Sequence, residues 1–172
     1  MSRLPILIVP DPTLKRPALP VERVDGAIRR LMDDMLDTMH QANGIGLAAP
    51  QVGVLKQVIV ADVSAPEEKP SPVRMANPTI EWRSDELLSG EEGCLSLPEQ
   101  FGEVTRAARI RVRYLDHENE VRTLEADGLL AKCLQHEIDH LSGILFVDHL
   151  SSLKRGIILR KLTKQKRLAA AG

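Results

Sequence analysis

The sequence predicts an α+β fold, with mostly antiparallel sheets packed around a central helix that carries His136-Glu137-Ile138-Asp139-His140. Three observations predict it. An apolar stripe at helical spacing comes first, runs of strand-like residues fill the middle, and helical patterns close the chain. At 172 residues the chain is long enough to bury a real core. It is read as one domain over 1–172, with no internal repeat and no linker long enough to set off a second.

The first element is a helix from about Asp25 to His40. Ile28, Leu31, Met32, Met35, Leu36 and Met39 fall at i, i+3, i+4, i+7, i+8 and i+11, and Asp25 is the N-cap candidate. These methionines read as core. Gly44-Ile45-Gly46-Leu47-Ala48-Ala49-Pro50-Gln51 follows, then a strand-like Val58–Val63 and a proline-rich acidic loop over 65–72. Further strands are expected at Met75–Trp82, at Arg109–Leu115 with Ile110, Val112 and Tyr114 alternating, and at Val121–Ala126. The helix of the histidine motif starts near Asp127 or Gly128. A last helix covers about Ser152–Leu168.

Composition narrows the class. Two cysteines are too few for a disulfide framework and fit a reducing compartment, so a cytoplasmic location is expected. Ile6-Leu7-Ile8-Val9, between Pro5 and Pro10, is too short for a signal peptide or a membrane span, so no membrane partner is expected. Net charge is −1 but unevenly spread. From Ser151 onward lie seven of the 23 basic residues and none of the 24 acidic ones, a cationic tail on a mildly acidic body.

His136 and His140 stand four residues apart, a rise of roughly 6 Å and just over one helical turn, so both rings leave the same face. Glu137 beside them can take a proton from a metal-bound water, which is the H-E-x-x-H logic of metal-assisted hydrolysis. Two solvated surface histidines are the plain alternative. Against it stand Leu129, Leu130, Leu134 and Ile138 before and within the motif, and Leu141, Ile144, Leu145 and Phe146 after it. A catalytic ion needs a third protein ligand. His149 lies nine residues beyond His140. Cys133 shares the helical face of His136 but is roughly 10 Å along the axis from His140, so it reads as a small apolar wall residue. Cys94, after Gly93 in a distant segment, can approach the helix from outside.

Three segments taken together resemble the signature motifs of the peptide deformylase family, in the family's order. They are Gly44 to Gln51, Glu92-Gly93-Cys94-Leu95-Ser96, and Gln135-His136-Glu137-Ile138-Asp139-His140. The resemblance implies removal of the formyl group from the N-terminal formyl-methionine of new polypeptides. It implies Cys94, His136 and His140 as metal ligands and Fe(II) as the ion, with Zn(II), Ni(II) or Co(II) as substitutes; ligand chemistry alone suits zinc equally. It makes Glu137 general base and acid, with the Gln51 amide and the Leu95 backbone N–H as donors to the developing oxyanion. The expected substrate-facing set is Gly44, Ile45, Gly46, Gly93, Leu129 and Cys133, an apolar pocket sized for methionine beside a segment that takes the peptide as an added strand. Two positions depart from the family: Lys132 stands where many members carry an aliphatic or small residue, and Phe101 where some carry arginine.

The tail, through Arg160, Lys161, Lys164 and Arg167, is expected to give weak salt-dependent contact with the ribosome. Leu153, Ile157, Leu162 and Leu168 are its expected docking residues. Two other functions compete. One is hydrolysis of another N-acyl amide. The other is a structural metal module binding RNA through the tail, which the few aromatic residues oppose; no sequence-specific nucleic acid is expected.

Overall fold

Asp25 caps α1 (Gly26–Gln41) as its carboxylate accepts from the Ile28 N–H, and the methionine stripe faces inward with Met32, Met35 and Met39 fully buried. The computed structural model describes residues 3–171. Seven strands follow among them: β1 (Gly46–Ala48), β2 (Val58–Ala61), β3 (Val73–Arg83), β4 (Leu87–Cys94), β5 (Leu97–Ala107), β6 (Arg109–Leu115) and β7 (Val121–Asp127). Five of them form an antiparallel sheet in the order β1-β2-β3-β6-β7, and β4 pairs β5 in a separate hairpin.

Why β2 is apolar at every position follows from its place between two helices. Val58 and Val60 join the α1 cluster on one face, while Ile59 and Ala61 join the cluster under α2 (Gly128–His140) on the other. Period-two alternation appears only where one face meets water. In β6 that leaves Ile110 and Val112 buried and Arg109 and Arg113 exposed. In β3 the register shifts between Ala76 and Thr79, at Asn77-Pro78, where a proline could not keep the ladder.

Expected helices and strands fall close to their observed bounds. The β4–β5 hairpin is the main element absent from the sequence reading. The last helix, α3 (Ser152–Ala171), requires a correction. It docks through Ile158 and Leu162, which pack with Val9, Leu14, Val104 and Phe146, whereas Leu153, Ile157 and Leu168 are exposed. The described residues include no helix long and apolar enough to cross a membrane.

Candidate active site and metal centre

Helix α2 lies between the five-stranded sheet and the hairpin. Ala131 and Leu134 turn into the core shared with Ile59, Met75 and Ile110, and the same winding buries His136, Glu137 and His140 toward the hairpin. There β4 delivers Cys94 at its last residue, just before the turn Leu95–Ser96. The two Nε2 atoms of His136 and His140 are 3.3 Å apart, and Cys94 Sγ is 3.5 Å from His140 Nε2. All three donor atoms lie within 4.8 Å of one another.

His136 is oriented from behind. Its Nδ1 is 3.0 Å from Glu92 Oε1, which selects the tautomer that turns the Nε2 lone pair toward Cys94 and His140. Glu92 is itself fixed by a bidentate bond from Arg106, at 2.7 and 2.9 Å. Arg106 also donates to Asp139 Oδ2 at 2.8 Å, and the other partner of that oxygen is His149 Nε2, again at 2.8 Å. His149 is thus not a third ligand. It closes a chain of polar contacts that begins at His136.

The two imidazoles feel opposite electrostatics. Burial disfavours a charged His136, yet the Glu137 carboxylate, Cys94 and Glu92 outweigh it and raise its pKa well above the usual value. Burial, with the neighbouring His136 charge, drives His140 well below it. Two imidazoles with one thiol suit a borderline divalent ion. Burial raises Glu137 to about 7, with His136 pulling it back. Its Oε1 is buried without a hydrogen-bond partner, which fits a carboxylate set to meet a ligand.

Gln51 sits in a 3-10 turn, Ala49–Val52, directly after β1. Its carbonyl accepts from the Ala48 N–H at 2.9 Å, which leaves its NH2 aimed at Ser96 Oγ (3.1 Å) and Cys94 Sγ (3.4 Å). Gly46 is required by crowding, because a Cβ there would fall 2.5 Å from Glu137 Oε2 and 2.6 Å from Cys133 Sγ. Cys133, whose thiol burial pushes up, stays protonated and touches the Ile45 carbonyl at 3.5 Å.

A cleft of about 470 Å³ opens over this centre. It is lined by Gly44, Ile45, Gly46 and Gln51 on one side, by Gly93, Cys94 and Leu95 on the other, and by Leu129, Cys133, His136 and Glu137 along α2. Every site residue expected from the sequence thus lines it except His140, which is buried beneath as part of the donor cluster. Lys132 and Phe101 stand at its rim, and the Lys132 ammonium donates to the Glu91 carbonyl. Sequence reasoning missed Arg106 and the roles of Glu92, Ser96 and Asp139. Nothing marks Arg106 in the sequence; Glu92, Ser96 and Asp139 lay in the motifs, without visible partners.

Comparison with known proteins gives one answer. A family model described as polypeptide deformylase matches residues 3–156. A peptide deformylase of Methylocella silvestris is 54% identical over 99% of this chain and 88% of its own. The crystal structure of peptide deformylase from Ehrlichia chaffeensis superposes with a TM-score of 0.93, at 42% identity, covering 98% of this chain and 99% of that one. A second Ehrlichia chaffeensis structure, in complex with actinonin, gives a TM-score of 0.92 at 44% identity over 97% of this chain and 99% of that one.

Proposed function

The chain belongs to the polypeptide deformylase family, metal-dependent hydrolases that remove N-formyl groups from nascent polypeptides, and from that premise we propose how its own residues do so. The carrying observation is the convergence of Cys94, His136 and His140 beside the buried, unpartnered carboxylate of Glu137. These three residues would hold one divalent ion, Fe(II) by family resemblance with Zn(II), Ni(II) or Co(II) as substitutes, which supplies a Lewis acid that lowers the pKa of water.

Glu137 takes the proton of the attacking water and returns it to the amine that leaves. A carboxyl raised to about 7 can both accept and give a proton near neutrality. The Gln51 NH2, with its carbonyl already engaged by Ala48, is the side-chain donor to the oxygen on which negative charge grows, and the Leu95 N–H is the backbone donor. A peptide lies between the edge strand β1 and the Gly93–Leu95 segment, hydrogen-bonding as an added strand. Methionine enters the pocket walled by Ile45, Leu129 and Cys133, and Gly44, Gly46 and Gly93 let the backbone approach.

Deformylation of nascent chains assigns this activity to the cytoplasm. The exposed basic face of α3, with Arg160, Lys161, Lys164 and Arg167, is the surface for weak ribosome contact. Because Ile158 and Leu162 are buried, charge reversal at those four positions tests this better than truncation. Unchanged co-sedimentation with ribosomes at low salt would refute it.

The activity is tested by anaerobic assay of a formyl-methionyl tripeptide beside its acetyl counterpart. Formate release without acetate release is expected. Release of acetate at a comparable rate would move the assignment to another N-acyl amide. The iron form should lose activity in air faster than the nickel or zinc forms, and equal half-lives would contradict an oxygen-sensitive ferrous thiolate site.

A further inference from the structure

The short turn that follows α2 meets His136 from two directions. This 3-10 turn, Phe146–His149, opens with Phe146, which is fully buried and stacked on the His136 ring with 6.3 Å between centroids and 24° between planes. It ends with His149, whose Nε2 is 2.8 Å from Asp139 Oδ2. That oxygen also accepts from Arg106 Nη1 at 2.8 Å. The other edge of the guanidinium holds both oxygens of Glu92, and Glu92 Oε1 reaches His136 Nδ1 at 3.0 Å. A carboxylate oxygen only accepts, so the hydrogen at the His149–Asp139 contact sits on Nε2.

These contacts leave α2 at His136, pass through β4 and β5, and return to α2 at Asp139, so helix and hairpin brace one another in a closed ring. Side-chain exposure falls along the path from 38% at His149 and 23% at Asp139 to 7% at Arg106 and 3% at Glu92. Asp139 is therefore the link most open to water within the ring. A carboxylate held by one donor alone can rotate, or trade that donor for solvent. His149 supplies a second donor from a fixed support. Its neighbour Asp148 accepts from the Leu145 N–H at 2.9 Å and pairs with Arg155 at 3.0 Å. Two donors on one oxygen set the carboxylate plane, and the carboxylate sets the guanidinium.

We propose that His149 is a positioning residue of the metal centre, fixing the His136 ring through Asp139, Arg106 and Glu92. The inference rests on the ligand reading given above, in which His136 holds the ion through Nε2. His149 touches neither ion nor substrate. It removes the freedom of Asp139 to turn, so Arg106 presents Glu92 at one place and the ring keeps one tilt. The direct partner of a ligand histidine is worth roughly 10- to 100-fold in metal affinity or activity, and a residue acting through intervening side chains is worth less, about three- to tenfold.

The test uses the zinc-loaded full chain and follows transfer of zinc to a chelator. His149→Phe, which keeps a ring and removes the donor, should release zinc about three- to tenfold faster than wild type. His149→Gln, whose amide nitrogen restores a donor at similar reach, should bring the rate back to within about twofold of wild type. In the Glu92→Gln background His149→Phe should add nothing, since the link it acts through is already cut. With iron loaded anaerobically, kcat for a formyl-methionyl tripeptide should fall about threefold in His149→Phe while KM stays the same. Release of zinc at the wild-type rate, equal defects in the Phe and Gln variants, or effects that add to those of Glu92→Gln would overturn the role of His149 and leave the ligand assignment standing. A change confined to KM would place His149 in substrate binding and overturn it as well. Wild-type protein that retained no zinc would instead refute the ligands themselves.

Discussion

At the scale of single residues the site is governed by crowding around Glu137. Gly46 has no room for a methyl group, since Glu137 Oε2 and Cys133 Sγ would both lie inside contact distance. Gly46→Ala should therefore displace the carboxylate and cost on the order of 10²-fold in kcat, with the metal retained. Steady-state kinetics beside metal analysis checks this, and an unchanged kcat would contradict the placement of the base. Much at this scale was legible in the sequence: four-residue spacing puts two rings on one helical face whatever the tertiary fold. The partner of each ring was not. His149 looked like a spare ligand by its position after His140, yet it serves Asp139, because only the folded chain brings Arg106 alongside.

At the scale of elements the β4–β5 hairpin decides the geometry, and it was the least legible part. Its strands carry Glu91, Glu92, Gly90, Gly93 and Gly102, so neither apolar alternation nor β-propensity marks them. Part of the reason is that Glu92 and Arg106 are buried as a pair, so charge occupies positions where a strand pattern requires apolar residues. That pair holds His136 from behind. Glu92→Gln should accelerate metal dissociation by about 10- to 100-fold, measured by transfer of zinc to a chelator. It should also destabilise the fold by about 1–3 kcal/mol, since the Arg106 charge loses one of its two carboxylate partners and keeps Asp139. A variant that released metal at the wild-type rate would show that Glu92 does not orient His136.

At the scale of the molecule, three distant segments must be held in register, and Asp148 ties their surroundings together. It binds Lys15 from the N-terminal segment, Arg155 from α3 at 3.0 Å and the Leu145 N–H at 2.9 Å. Burial works against its charge, but the Leu145 N–H and Lys15 outweigh it, so the folded pKa lies below the usual 3.8. A depressed carboxyl contributes stability that is present above the unfolded value and is lost as pH falls through the folded one. Asp148→Asn should cost about 1–2 kcal/mol at pH 6. The gap between variant and wild type should close below pH 3.8 in denaturant titrations; a gap independent of pH would refute the assignment. The α+β class and order of helices were legible because amphipathic periodicity is local. The division into a five-stranded sheet and a separate hairpin was not, because pairing is set by contacts distant in sequence.

The most direct measurement compares wild type with Glu137→Gln, each loaded anaerobically with iron, for metal content and formate release. One ion per chain in both is expected, with kcat lower in the variant by about 10²- to 10⁴-fold. Undiminished formate release by Glu137→Gln would contradict a site in which Cys94, His136 and His140 hold the ion and Glu137 moves the proton.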